Sequence, residues 1–416
     1  MVMGGINEAE NELENSVPMN SDRNVLAAVV VVGHAVKHIF NSGMRALLLP
    51  EAKIGLNLTG AQFGSLLTAS QVTSWGTTIG AGYLGDRFSN KAGLILFISL
   101  SLTGISFFLA GNSYSYPIML ISMLLVGMGP SLYHPPALGE LSRRFPDKRG
   151  FAISLHGMGG NFGEVLGPLI TATVLGLLSW RGVFQISLAP AILSGFIIWL
   201  LLRHIASTQP QSNSTNDYFL KIRTLFKNPL IIFIVLIAAT RSAGDTAVGG
   251  FLPLYLRESL ELSPTTVAIY LSLAQVAGLI TQPVFGHMSD KYGRKVILLP
   301  GVSVVSIISI ALAFQTSKMF LITLVILKGA FSFPLHHMFI ATAMDIAGEK
   351  VQSTIVALIY GAGFLGTFSP YLAGHLVDNF GIHSAFIYGG MVSALAAVML
   401  TIIKLPTSNR DFISGK

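Results

Sequence analysis

"GYLGDRFSNKAGL", residues 82–94, sets an Asp, an Arg and a Lys together between two apolar stretches, and "GHMSDKYGRKVIL", residues 286–298, repeats the arrangement 204 positions later. The flanking stretches are each about 20 mostly apolar residues, the length that crosses a bilayer as a helix. A charged loop recurring between such stretches points to a duplicated membrane unit.

Composition supports this. The chain is 52% hydrophobic and 11% charged, with a mean hydropathy of +0.66, whereas soluble domains carry about 25% charged residues. Twelve apolar spans are expected, at 25–49, 61–84, 92–111, 117–142, 150–178, 183–202, 229–256, 265–289, 296–315, 319–346, 352–377 and 384–403. They are numbered here as spans 1 to 12.

The net charge of +7 invites a nucleic-acid reading, so the placement of the basic residues decides the matter. Lys53, Arg181, Arg257 and Lys318 fall in the loops after odd-numbered spans, and Lys37, Arg45, Arg241 and Lys328 lie inside spans. All other Lys and Arg residues lie in the two tails and in the loops after spans 2, 4, 6, 8 and 10. That asymmetry is the positive-inside signal. It predicts a multi-pass protein of the inner or plasma membrane with both termini cytoplasmic, and no nucleic-acid partner. Residues 1–22 are acidic and polar and read as a disordered cytoplasmic tail, not a cleavable signal. With no Cys in the chain, disulfides and thiolate metal sites are excluded.

The repeat extends well beyond the loops. At a shift of 204, Gln71 falls on Gln275, Gly82 on Gly286, Asp86 on Asp290, Arg87 on Lys291 and Lys91 on Lys295. At 202, His134 falls on His336, Gly159 on Gly361, Phe162 on Phe364 and Pro168 on Pro370. In spans 1 and 7, Lys37 falls on Arg241 and Asn41 on Asp245. Unrelated apolar helices share Leu and Val, not ordered polar residues. The domain plan is a tail at 1–22, a six-helix bundle at 23–203, a linker at 204–228 containing "STQPQSNSTND", a second bundle at 229–404 and a tail at 405–416. Parallel six-helix repeats with a substrate site between them near mid-membrane are a known transporter plan.

On these residues the chain resembles the major facilitator superfamily, over about 25–404. The loop signature of that family, Gly-x-Leu-x-Asp-Arg-x-Gly-Arg-Lys, is met at Gly82, Leu84, Asp86, Arg87 and Lys91, with Ser89 and Asn90 in place of Gly and Arg. The second copy keeps Gly286, Asp290, Lys291, Gly293, Arg294 and Lys295. "GGNFGEVLGP" (159–168) and "LYHPPALGEL" (132–141) look most like the fosmidomycin-resistance group of antibiotic exporters, although Lys37 and His38 stand where that group carries an Asn-Asp pair. The resemblance implies an all-α integral membrane fold of twelve helices in two pseudo-symmetric bundles, with spans 3, 6, 9 and 12 at the lipid-facing periphery. Those four spans contain no Asp, Glu, Lys or Arg, in independent agreement. It also implies that the signature loops, Gly82 to Lys91 and Gly286 to Lys295, latch the cytoplasmic side in one state of a transport cycle. Asp86 and Asp290 are expected near the starts of the following helices, where the helix dipole favours an anion.

Ionised groups inside a membrane must face protein or water. His34, Lys37, His38, Asn41 and Arg45 share one face of span 1 and are expected to line a cavity. His34 and His38, one turn apart, have metal-ligand spacing, but no carboxylate joins them in the helix; no metal and no cofactor is expected. Arg241 and Asp245 can pair along span 7, either as a fixed structural pair or as one that opens for substrate or proton. Lys328 and His336 share a stripe of span 10, and Gln71 and Gln275 offer amide contacts at matching depths. His134 precedes two prolines that must break span 4 and free carbonyls, tolerable where a cavity is lined.

On span 5, Gly159, Gly163 and Gly167 make a smooth face before Pro168, read as a close-packing surface that lets the halves rock. Glu164 reads as a lone membrane carboxyl, either a proton carrier or a static hydrogen-bond partner. Lys37, Arg45, Arg241 and Lys328 outnumber Glu164 and Asp245, so an anionic substrate such as a carboxylate or phosphonate fits. The expected function is proton-coupled export of a small organic anion or antibiotic by a functional monomer, with no enzymatic activity. The alternatives are an importer or exchanger of a metabolite anion, such as a carboxylate or organophosphate, and a transporter-like membrane sensor.

Overall fold

The computed structural model describes residues 4–145, 148–203, 227–315, 317–347, 363–364 and 366–405. The linker at 204–226, the first part of span 11 with Gly361, and the tail at 406–416 lie outside the described residues, as do the side chains of residues 1–21, Ile79, Asp86, Ser89, Arg149 and Ala347.

Among the described residues every regular element is helical. The first half holds α1 (Gly4–Gly43), α2 (Leu49–Gly55), α3 (Gly60–Arg87), α4 (Ala92–Gly111), α5 (Tyr116–Ser131), α6 (His134–Arg144), α7 (Arg149–Leu175), α8 (Trp180–Ile186) and α9 (Leu188–Leu202). The second holds α10 (Pro229–Leu254), α11 (Pro264–Tyr292), α12 (Arg294–Leu312), α13 (Lys318–Ala347), α14 (Ser369–Phe380) and α15 (His383–Ile402). Nine runs of described residues are long and apolar enough to cross a membrane. Helices α3 and α7, with 28 and 27 residues, are each about 40 Å long and fill spans 2 and 5. α14 is the end of span 11.

Helix starts coincide with capping residues. Thr59 forms a capping box with Gln62 at the head of α3, and Ser263 accepts from the Thr266 amide at the head of α11. α1 runs from Gly4 to Gly43 and carries span 1 in its later part. As expected, span 4 breaks: α5 ends at Ser131 and α6 begins at His134, flanked by Pro130, Pro135 and Pro136. The Gly129 carbonyl at the break accepts from Ser99 Oγ at 2.6 Å.

The apolar cores show how the halves meet. Towards the end carrying the two signature loops, the cores are separate. One joins Leu26, Leu96, Tyr133, Leu141 and Leu202 of the first half, and the other joins Ile234, Leu298, Phe339 and Leu400 of the second. Towards the opposite end they merge, with Phe63, Met123 and Phe184 packing with Phe251 and Ala373, and Leu47 with Leu256 and Phe386.

Polar contacts close that opposite end as well. Lys53 Nζ lies 2.5 Å from Glu258 Oε1, and Arg257 Nη2 lies 2.5 Å from Glu51 Oε1. The amides of Gly60 and Ala61, at the start of α3, donate to Asp378 of α14 at 2.5 and 2.8 Å. Nearer mid-span, Thr68 Oγ1 donates to the Thr367 carbonyl at 2.9 Å and Ser272 Oγ to that of Val165 at 2.7 Å. Among the described residues the halves are thus joined at the end holding residues 51–60 and 257–263, and their cores are parted at the signature-loop end.

Candidate functional site

The polar face of α1 meets α6 and α7. Lys37, 4% exposed, donates from Nζ to His134 Nε2 at 2.6 Å and to His38 Nε2 at 3.2 Å. His134 reaches this ammonium because the break in span 4 makes it the first residue of α6. His38 Nδ1 lies 2.6 Å from Glu164 Oε1 on α7, and Arg45 Nη2 lies 2.9 Å from the same oxygen. His34 Nδ1 lies 2.6 Å from the His156 carbonyl, with the two rings stacked 3.7 Å apart.

Glu164 is therefore not solitary, as its position on span 5 suggested. It is the acceptor at the centre of a network from α1 and the turn that follows it. The partners come from more than a hundred positions away in the chain, so the spacing along span 5 alone does not show them.

In the second half Asp245 has the corresponding role. Arg241 Nη2 lies 3.0 Å from Oδ2, while Lys328 Nζ at 2.5 Å and Ser332 Oγ at 3.0 Å share Oδ1. Arg241 also donates to the Ser332 carbonyl at 3.0 Å. The cations Arg241 and Lys328 are 5% and 8% exposed. The second half thus sets two cations against one carboxylate, whereas in the first Arg45 pairs with Glu164 and Lys37 bonds to His38 and His134. The repeat pairs Lys37 with Arg241, but the first-half carboxylate comes from α7, because Asn41 occupies the place of Asp245.

A cavity of about 250 Å³ lies between the halves, lined by Asn161 of α7 with Arg241, Asp245, Gln275, Gln282, Ser332, His336 and His337. Gln275 Nε2 approaches Glu164 Oε2 at 3.5 Å across the junction. Of the residues expected in a cavity, Arg241, Asp245, Gln275 and His336 line it. His34, Lys37, His38, His134 and Glu164 form the network beside α7, and Arg45 joins it with a half-exposed side chain. Gln71 and Asn41 are partly buried and stand outside the lining. His337, marked with its neighbour His336 on span 10, lines the cavity too, and Gln282 lines it without having been singled out, two turns beyond Gln275 on the same helix.

The glycine face of α7 packs closely, but against α1 of its own half and not across the halves. A methyl built at Gly163 would lie 2.7 Å from His38 Cβ, and one at Gly159 2.5 Å from the Val31 carbonyl. At Gly167 it would meet the Ile39 carbonyl at 2.5 Å. Pro168, one position on, cannot donate to the Glu164 carbonyl. The face fixes the α1–α7 pair that carries the network.

At the signature loops, Asp290 lies in the last turn of α11, where the dipole opposes an anion. It is held instead by Arg294, at 2.6 Å, which also reaches Asp345 of α13 at 2.7 Å. Lys295 caps α15 through the carbonyls of Thr401 and Ile403. Arg87, Lys91 and Lys291 are exposed, and the Cβ positions at Gly82 and Gly286 face open space. The Asp86 side chain lies outside the described residues.

A sequence profile described as the Major Facilitator Superfamily matches residues 35–243 and 234–415. The chain belongs to the major facilitator superfamily. It is a multi-pass membrane transporter and not an enzyme. The fosmidomycin resistance protein of Escherichia coli (strain K12) is 23% identical over 393 residues, covering 91% of this chain and 93% of that protein. The quinolone resistance protein NorA of Staphylococcus aureus (strain COL) is 26% identical over 381 residues, covering 87% and 92%. Among solved structures, a bacterial homologue of the human lysosomal transporter Spinster, inward-facing and unoccupied, superposes with a TM-score of 0.73 at 18% identity, covering 92% of this chain and 95% of that one. This last likeness bears on the major facilitator fold alone.

Proposed function

We propose that this protein is a proton-linked transporter of small organic anions that works by alternating access as a monomer. The observation that carries the reading is the clamp of Arg241 and Lys328 on Asp245 beside the cavity, with Lys37 buried in the other half. Buried cations in excess create a positive potential there and favour an anion. The cavity volume lies near the lower end of the range for ligand pockets, about 300 Å³, which favours a small solute.

With the termini cytoplasmic, as the distribution of Lys and Arg predicts, the parted signature-loop end opens inward. The signature loops then latch the other state of the cycle, when that end closes. The carboxylates Asp245 and Glu164 carry the coupling, Asp245 by exchanging its two cations for a proton. Export in exchange for protons is the reading that the two resistance relatives favour. The clamp on Asp245 favours a second reading, import of anion together with proton, because a neutral Asp245 releases Arg241 and Lys328 to the anion.

Purified protein in vesicles, given a panel of anions and cations under an imposed pH gradient, separates these readings. Anion accumulation that runs against the proton gradient marks exchange, and accumulation along it marks co-transport. Transport of cations alone, or transport indifferent to the gradient, overturns the proposal.

A further inference from the structure

The first-half histidines form a set that an anion site does not require. His34, His38 and His134 each bring one ring nitrogen to within 4.8 Å of the other two. Their hydrogen bonds fix which nitrogen carries the proton. His34 Nδ1 faces a backbone carbonyl at 2.6 Å and therefore donates, leaving Nε2 with a lone pair. That Nε2 is buried and has no hydrogen-bond partner among the described residues. His38 Nδ1 faces the Glu164 carboxylate at 2.6 Å, which likewise leaves Nε2 as acceptor. The Lys37 ammonium has no lone pair, so His38 Nε2 and His134 Nε2, both bonded to it, are unprotonated.

One nitrogen of each of the three rings meets in this cluster, and two of the rings are backed by the partners found behind metal-bound histidines. Such a ligand donates its other N–H to a carboxylate or a backbone carbonyl, which fixes the ring and raises its basicity. Here Glu164 does this for His38 and the His156 carbonyl does it for His34. Three histidines with an open fourth position suit zinc, and imidazole selects zinc, copper, nickel and cobalt over calcium or magnesium, which take oxygen ligands. A cation already occupies part of the set: the tethered ammonium of Lys37.

We propose that His34, His38 and His134 bind a divalent transition-metal ion of the zinc class through Nε2, in competition with the Lys37 ammonium for the same lone pairs. Lys37 rotates away when the metal enters, and the fourth position is left to water or an anion. Glu164 supplies a negative charge behind the ligands and positions His38. The inference is independent of the transport reading, since it concerns binding alone.

The test uses the full-length protein in detergent, stripped with a chelator and titrated with Zn²⁺ by calorimetry, with Co²⁺ absorption as a second readout. One Zn²⁺ per chain is expected, with the Co²⁺ spectrum of a four-coordinate site that has three nitrogen ligands. His34→Ala and His134→Ala abolish binding, and Glu164→Gln weakens it about tenfold or more through loss of the ring partner. Lys37→Met strengthens it, an outcome that a merely adventitious surface site does not give. Absence of stoichiometric Zn²⁺ in both wild type and Lys37→Met overturns the proposal, as does binding unchanged in His34→Ala and His134→Ala. Should those variants not fold, the wild-type Co²⁺ spectrum decides: a six-coordinate, weakly absorbing form rules the site out.

Discussion

Lys328 Nζ lies 2.5 Å from Asp245 Oδ1, while Arg241, one turn before Asp245 on α10, holds Oδ2 at 3.0 Å. One carboxylate is shared by two cations on two helices, so the clamp ties α10 to α13 across the cavity wall. Replacing Lys328 by Gln leaves Arg241 and Asp245 as a neutral pair and removes the net positive charge of this cluster. Anion affinity is expected to fall about tenfold or more, the value of a hydrogen bond to a charged group at about 1.5–3 kcal/mol. Equilibrium binding of a transported anion to the purified variant measures this; unchanged affinity removes Lys328 from the site.

Asp245→Asn separates coupling from binding. The amide keeps the shape and a hydrogen bond to Ser332 but takes no proton, and it leaves Arg241 and Lys328 without their counter-charge. The expected variant binds anions at least as tightly as wild type and equilibrates them without responding to a pH gradient. Loss of a buried partner also lowers stability, by about 3–5 kcal/mol where the remaining charges stay dry. Vesicle transport with and without the gradient, alongside thermal unfolding, tests both outcomes. Gradient-driven accumulation by the variant would clear Asp245 of coupling.

At the closed end, two ion pairs cross between the halves, Lys53 with Glu258 and Glu51 with Arg257. Partly exposed pairs of this kind are each worth about 0–1 kcal/mol, enough to bias a two-state equilibrium without fixing it. Reversing one charge, as in Glu51→Arg, is expected to move the population towards the state parted at this end. Adding Arg257→Glu restores it. Distances between spin labels on the loops at this end, measured in the single and double variants, report the shift. A double variant no closer to wild type than the single one shows that the pair does not latch.

Much of the fold was legible because it rests on local pattern: span lengths, capping residues, and a repeat that places Gly286 on Gly82 and Asp290 on Asp86. The break in span 4 was legible for the same reason, since prolines cannot continue a helix. The site was legible in its members and not in its bonds. Lys37 and His134 were both marked, but their 2.6 Å contact depends on how α6 lies against α1. Glu164 looked solitary because its partners lie far off in the chain, His38 on α1 and Arg45 just beyond its end. The glycine face of α7 declared a close approach without declaring the partner, which proved to be α1 of the same half. Asp290 was placed by its distance from the next helix, whereas α11 runs to Tyr292 and puts it in a C-terminal turn.

That glycine face makes a prediction with its own control on the same helix. At Gly163 an added methyl meets His38 Cβ at 2.7 Å and the Ala35 backbone still more closely, whereas at Gly157 nothing lies within 4 Å. Both substitutions to Ala gain about 1 kcal/mol of helix propensity. Gly157→Ala keeps that gain and is expected to unfold at the wild-type temperature or slightly above. Gly163→Ala must push α1 away from α7, and overpacking of a tight contact costs about 1–3 kcal/mol, so its unfolding temperature is expected to fall. The displacement also moves His38 relative to Glu164, whose contact is 2.6 Å, so transport is expected to drop more than stability alone explains. Thermal unfolding in detergent and vesicle transport of the two variants decide it: equal behaviour of Gly163→Ala and Gly157→Ala would mean that the α1–α7 contact does not hold the network in place.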